Sequence, residues 1–328
     1  MKKKVFITRR LPGTAISKLD GICEVDVWDE EIPPTRDDII DRASNCSGLV
    51  TLLSDDINGE LIESLPNLEI IAQYAVGYNN IDIDTASAKG IIVTNTPGVL
   101  TETTADLSWA LILSCARRIV ESDSYVRKGM WKVAWGPEML LGVDIFNATL
   151  GIIGMGRIGY AVAKRATGFD MKILYHSRSS NDITHSAEVN LGAKRVDLDT
   201  LLTESDIISI HVPLTEETDG MIGKNELSRM KPTAILINTS RGRVVIERDL
   251  IEALRERRIR SAGLDVFEIE PVQRANELLE LENVVLLPHI GSATIATRTR
   301  MADIAIENLV AGLNGQRPPN IVNADVLM

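Results

Sequence analysis

Three polar residues stand out by type and by place. Arg241, Glu270 and His289 each follow the C-terminal end of an apolar run. In a parallel α/β sheet that edge is where ligands bind, so residues far apart in sequence can converge there. A histidine passes protons near neutral pH, a carboxylate orients its ring, and a guanidinium holds an anion in a fixed fork. Singly, each has an ordinary alternative: a surface arginine, a helix-start carboxylate, a satisfied buried histidine. At successive strand ends, beside the turn described next, the three together point to chemistry.

That turn is Gly154-Met155-Gly156-Arg157-Ile158-Gly159. An apolar run (Leu150, Ile152, Ile153) precedes it, and a helical stretch with Ile158, Val162 and Ala166 on one face follows. Gly154 permits the tight turn, Gly156 lets a pyrophosphate approach the backbone, and Gly159 lets helix and strand pack closely. A second apolar run, Met171 to Tyr175, ends at His176-Ser177-Arg178-Ser179, with no carboxylate before Asp182. A dinucleotide fold that prefers NAD usually carries Asp or Glu at that strand end, on the ribose 2′-OH. Here Arg178 can pair with a 2′-phosphate, and Ser177 and Ser179 can donate to it. The expected cofactor is NADP(H), with NAD(H) possible; the alternative is an Arg178 that simply points to solvent.

The elements around these residues alternate. Strands are expected at Val5–Thr8, Val25–Trp28, Gly48–Leu53, Ile70–Ala75 and Ile91–Thr94, and after the glycine turn at Asp206–His211, Ala234–Asn238, Ala262–Phe267 and Val284–Leu287. Helices fall between them; Thr35-Arg36-Asp37-Asp38 has capping-box spacing. Several strands are nearly all apolar, which fits parallel sheets covered on both faces. Asn95-Thr96-Pro97-Gly98 reads as a domain boundary. Thr101–Arg118 is a long helix whose Ala105, Trp109, Ile112 and Ala116 read as core. Gly129–Asn147 has no period yet carries Met130, Trp131, Trp135, Met139, Leu140, Leu141 and Phe146. So much apolar area suggests a partner surface, or else a loop folded back on its own domain.

Composition bounds the rest. The 328 residues suit two domains, at 45% hydrophobic and 25% charged. A net charge of −11 argues against nucleic acid or an anionic membrane as partner, and means that an anionic substrate needs local cations such as Arg241. Cys23, Cys46 and Cys115 form no CxxC pair and no metal spacing, so no metal site is expected and the thiols read as reduced. The lysines after Met1 lead into a strand-like run rather than a signal-peptide core, and Leu107–Cys115 is too short to span a bilayer. A cytoplasmic setting is expected.

VGYNNID (Val76–Asp82), GMGRIG (Gly154–Gly159), NTSRG (Asn238–Gly242), LDVFEIEP (Leu264–Pro271) and LPHIGSAT (Leu287–Thr294), in this order and spacing, resemble the D-2-hydroxyacid dehydrogenase family over nearly the whole chain. WKVAWGP (Trp131–Pro137) and Ala163–Arg178 are most similar to its glyoxylate and hydroxypyruvate reductases. The resemblance implies an α/β protein of two doubly wound parallel-sheet domains. A Rossmann cofactor domain, residues 99–288, is inserted into a flavodoxin-like substrate domain, residues 1–98 and 289–328. It implies reduction of a small 2-oxo acid to the D-2-hydroxy acid by Arg241, Glu270 and His289. Leu53, Val76, Gly77 and Trp135, with Arg241, would contact substrate. Thr104, Gly154, Met155, Gly156, Arg157, Ile158, Gly159, Val212, Pro213, Thr218, Thr239, Ser240, Arg241, Asp265, His289 and Gly291 would line the cofactor, with Ser177, Arg178 and Ser179. A homodimer would pair through the Gly129–Asn147 excursion. His211, whose Val-Pro-Leu-Thr sequel resembles the family's adenosine wall, is given no catalytic role. The alternatives are a family member with another 2-oxo acid, or a cofactor-sensing, corepressor-like binding protein.

The implied chemistry is coherent. Reduction of a 2-oxo acid needs a hydride at the carbonyl carbon and a proton at its oxygen. His289 is the natural proton donor, Glu270 would fix its tautomer and favour its protonated form, and Arg241 would hold the carboxylate and polarise the carbonyl.

Overall fold

A computed structural model describes residues 2–327. The chain divides into two compact units: one runs to Leu100 and resumes at Ser292, and the other spans Thr101–Gly291.

The first unit holds β1 (Lys3–Ile7), β2 (Cys23–Val27), β3 (Gly48–Thr51), β4 (Ile70–Gln73) and β5 (Ile92–Thr94), all parallel, in the order β2-β1-β3-β4-β5. That is the flavodoxin-like order. Strand residues alternate between two buried faces. Phe6, Leu49 and Ile71 pack with Ile39, Leu61 and Ile62 on one side. Val5, Ile7, Val50 and Ile70 pack with Leu19, Ile306 and Leu309 on the other. The helix Arg36–Ala43 starts at a Thr35–Asp38 capping box, as its spacing predicts. The C-terminal helix Ile295–Leu313 closes the second face; a Cβ on Gly48 would lie 2.8 Å from Leu309 Cδ1, so a side chain there would have to displace that leucine.

The second unit holds β6 (Thr149–Ile153), β7 (Lys172–His176), β8 (Lys194–Arg195), β9 (Ile207–Ile210), β10 (Ile235–Asn238), β11 (Ser261–Leu264) and β12 (Val284–Leu286). All are parallel, in the order β12-β11-β10-β9-β6-β7-β8. This is the Rossmann order with one added strand, and its direction reverses between β6 and β9. Two apolar cores cover its faces. Ala105, Trp109, Ile112 and Ala116 of the helix Thr101–Arg117 are core, as expected; Trp109 stacks on Phe169 at 4.8 Å and donates Nε1–H to Val162 O.

Two stretches differ from the sequence reading. Arg118 takes a left-handed turn (φ 51°), and a further helix, Ile119–Arg127, follows it. The stretch after Gly129 is irregular, as expected, but splits in two. Ile145 is buried and Val143 N–H bonds Ala116 O, while Trp131 and Trp135 stand 53% and 77% exposed. Among the described residues no helix is long and apolar enough to cross a membrane.

Candidate active site

The glycine turn opens at the end of β6, beside the point where strand order reverses. Gly154 has φ +96°, and a Cβ there would sit 2.8 Å from the His211 carbonyl carbon. A Cβ on Gly159 would lie 2.2 Å from Gly154 O, so the helix Arg157–Ala166 can approach the strand only without a side chain there. At Gly156 nothing lies within 4 Å of a built Cβ. Gly156 is the N-cap of that helix, no side chain caps it, and its first turn carries no acid. Uncapped N–H groups facing open space suit a pyrophosphate, so the residues present fit a dinucleotide. Met155 is buried beneath the turn; Arg157 is exposed and Ile158 half-buried.

Past β7, Ser177 is half-buried and Arg178 and Ser179 are exposed. Two residues that the sequence reading missed act on this loop. Arg195 of β8 donates Nη2–H to the carbonyls of Ser177 (2.7 Å) and Arg178 (3.0 Å) and Nη1–H to Ser180 Oγ. Glu217 lies 3.7 Å from Arg178 and accepts from Thr215 Oγ1. Pro213 is exposed and Val212 half-buried; Thr218 is buried, donating to Pro213 O (2.6 Å) and accepting from Thr215 N–H, and so braces that loop.

The ends of β10, β11 and β12 carry Arg241, Glu270 and His289 together in the second unit. Asn238 accepts from Ser240 N–H and Oγ–H and donates to Arg241 O, which fixes the turn bearing Thr239, Ser240 and Arg241. Gly242 lies against the next strand's exit: a Cβ there would fall 1.9 Å from Phe267 O. That contact draws the arginine turn onto Phe267–Glu270. Glu270 accepts from Phe267 N–H at 3.0 Å, and its other oxygen meets His289 Nδ1 at 2.6 Å. Burial alone would favour the neutral carboxyl. The hydrogen bond and charge of His289, with Phe267 N–H and Arg241, outweigh it and hold Glu270 below the usual carboxylate range. Burial lowers the Arg241 guanidinium's affinity for its proton, and Glu270 opposes that.

His289 itself has φ 53°, a left-handed conformation that costs a non-glycine residue about 1–3 kcal/mol. Asp265 holds the loop in that state: its two carboxylate oxygens accept from Ile290 N–H (2.7 Å) and Gly291 N–H (2.8 Å). Thr104 Oγ1 donates to Gly291 O, and Ser108 links Thr104 O to Thr239 Oγ1. This bracing by Asp265 has no signature in the spacing. His211 is a different case. Burial depresses its pKa to about 3, Ser209 Oγ lies 2.8 Å from Nε2, and Nδ1 has no partner. Burial thus keeps its ring neutral.

In the first unit, Leu53 follows β3, and Val76 and Gly77 follow β4. Neither the Val76 nor the Gly77 N–H meets an acceptor among the described residues. Gln73, Asn80, Asp55 and Asn95 bond the chain around them; the sequence reading assigned no role to any of the four.

Residues 109–291 match the model of the D-isomer specific 2-hydroxyacid dehydrogenase, NAD binding domain. The glyoxylate reductase of Korarchaeum cryptofilum is 55% identical over 327 residues, covering 100% of this chain and 98% of that protein. That of Thermococcus litoralis is 54% identical over 330 residues, with the same coverage. The NADPH-dependent glyoxylate/hydroxypyruvate reductase of Sinorhizobium meliloti, solved with NADP and malonate, is 31% identical, with a TM-score of 0.84 over 98% of this chain and 97% of that one. With such likeness along its whole length, the chain belongs to the D-isomer specific 2-hydroxyacid dehydrogenase family and is an NAD(P)-dependent dehydrogenase.

Proposed function

We propose that this dehydrogenase reduces glyoxylate, and hydroxypyruvate alongside it, to the D-2-hydroxy acid with NADPH preferred over NADH. The observation that carries the reading is the 2.6 Å contact between His289 Nδ1 and Glu270, on the same strand edge as Arg241. With Nδ1 engaged by a carboxylate, the proton available for transfer sits on Nε2. His289 gives that proton to the carbonyl oxygen as the C=O bond becomes C–O–H, and regains one from solvent. Glu270, held ionised, orients the ring. Arg241 binds the substrate carboxylate and draws electron density toward the carbonyl oxygen, and the Val76 and Gly77 N–H groups bind the same carboxylate. The nicotinamide, when bound, supplies the hydride. The uncapped helix start at Gly156 holds its pyrophosphate, with Thr104, Pro213, Thr239, Ser240 and Asp265 contributing around it.

Arg178 supports the NADPH preference: after β7 no carboxylate comes before Asp182 to repel a 2′-phosphate, and the Arg178 side chain is exposed, held among the described residues only by a 3.7 Å pairing with Glu217. The exposed apolar surface at Met130, Trp131, Trp135 and Phe146 supports a homodimer, with Trp135 reaching the partner's substrate pocket. A reducing, cytoplasmic setting belongs to the same reading, since Cys23, Cys46 and Cys115 are free and buried. Initial rates with glyoxylate, hydroxypyruvate, pyruvate and phenylpyruvate, each with NADPH and NADH, test the assignment. Fastest kcat/KM on glyoxylate with NADPH is the expected result. Absence of turnover with any 2-oxo acid overturns it.

A further inference from the structure

A peptide group is planar and trans, so the partner of its carbonyl fixes the direction of its N–H. This bears on the two N–H groups assigned to the substrate carboxylate. The peptide that supplies the Val76 N–H has Ala75 O on its other side, and Ala75 O accepts from Thr96 N–H at 2.8 Å. The peptide that supplies the Gly77 N–H has Val76 O opposite, and Val76 O accepts from the Asn95 side-chain amide at 2.8 Å. Gly77 O is in turn held by Gln73 Nε2 at 3.1 Å. Each carbonyl through this turn is therefore anchored inward.

The anchors are themselves tied together. Gln73, wholly buried, accepts from Thr51 Oγ1 and donates its second amide proton to Asn80 Oδ1 at 2.8 Å. Asn80 spends both amide protons on Leu52 O (3.0 Å) and Asp55 O (2.8 Å), the turn that carries Leu53. Asp55 closes the same turn by accepting from Leu52 N–H and from Thr8 Oγ1. Both amides are fully used. A buried network of this kind is costly when broken and gives geometry rather than bulk stability.

We infer that Asn95, with the Gln73–Asn80 pair behind it, is a positioning residue that aims the Gly77 N–H at the substrate carboxylate. The inference rests on the reading above that the Val76–Gly77 turn binds substrate. It adds that the site's anion affinity is set by side chains that never touch the anion. When Asn95 no longer holds Val76 O, the peptide is free to rotate and the Gly77 N–H loses its aim. The site then gives up most of one hydrogen bond to a charged group, about tenfold or more in affinity.

The test is steady-state kinetics of Asn95→Ala with glyoxylate and NADPH, together with oxalate inhibition and thermal unfolding. The expected result is a glyoxylate KM and an oxalate Ki raised about tenfold, with the NADPH KM unchanged. If the variant does not fold, the near-isosteric Asn95→Asp, which removes the donor to Val76 O, carries the same expectation. A lowered melting temperature with unaltered KM and Ki would make the network purely structural and overturn the inference. Gly77→Pro, which deletes the Gly77 N–H itself, separates the two levels. If it raises the glyoxylate KM while Asn95→Ala does not, the positioning role falls and the substrate turn stands. If neither variant moves KM, the assignment of the turn falls and the inference with it.

Discussion

Replacing Glu270 by Gln tests the proton-transfer arrangement most directly. Reduction consumes a proton, which the proposed mechanism takes from His289. The Glu270 carboxylate, 2.6 Å from Nδ1, orients the ring for that transfer. Glutamine keeps the contact and removes the charge. A hydrogen bond to a charged partner contributes roughly 1.5–3 kcal/mol and a neutral one roughly 0.5–1.5. The difference, about 1–1.5 kcal/mol, corresponds to about tenfold in rate. The pair is partly open to solvent, 29% and 36% exposed, which keeps the loss near that figure rather than at the larger cost of a sealed ion pair. The sign of the pH dependence follows from Glu270 itself, which is held below the usual carboxylate range. Its charge is present at neutral pH and is lost as pH falls through that lowered value. Glu270→Gln should therefore lower kcat/KM for glyoxylate reduction about tenfold near neutral pH, and the gap to wild type should narrow in acid. The assay is loss or gain of reduced-cofactor absorbance across pH, in both directions, for wild type and variant. Profiles that superimpose would refute the role of Glu270. So would a drop that is uniform at every pH, which is what simple misfolding produces.

Four further outcomes follow from the geometry. His289→Ala should lower kcat for reduction about 10²-fold or more while leaving NADPH binding, followed by fluorescence titration, nearly unchanged; a near-normal kcat would mean another group donates the proton. Arg178→Ala should raise the NADPH KM about tenfold and the NADH KM far less, because only NADPH carries the 2′-phosphate; equal effects would remove the cofactor assignment. Gly242→Ala forces a Cβ onto the Phe267 backbone, where nothing flexible can yield. It should cost about 1–3 kcal/mol in denaturant unfolding and about 10²-fold in kcat/KM through the displaced Arg241; wild-type stability and rate would contradict that packing. Sedimentation at micromolar concentration should give a dimer, and a monomer there would remove the partner role of the tryptophan-bearing excursion.

Much of this was legible in the order of residues because it depends on local chemistry. Gly159 is required by a contact within one strand–turn–helix unit, where a Cβ would meet Gly154 O, and Gly154 by the positive φ of the turn itself. The Thr35 capping box and the apolar strands follow the same logic. Hence the parallel architecture and the dinucleotide turn could be read directly. Several strand ends lie one to three residues before the expected ones, because buried apolar residues continue past the regular ladder: β4 ends at Gln73 although Ala75 beyond it is buried, and β11 ends at Leu264 although Val266 and Phe267 are buried.

The remaining features belong to tertiary structure alone. Arg241, Glu270 and His289 stand far apart in sequence, and they meet because β10, β11 and β12 are neighbours and Gly242 seats one turn on the next. Asp265 reaches its partners at Ile290 and Gly291 only across adjacent strand ends. Arg195 braces the Ser177–Ser180 loop only because β8 pairs with β7. Asn95 meets Val76 O because two neighbouring strands, β4 and β5, end side by side. A residue's type announces what it can bond to. Which backbone it finds is decided by strand order and by close packing of turns, and no local spacing records either.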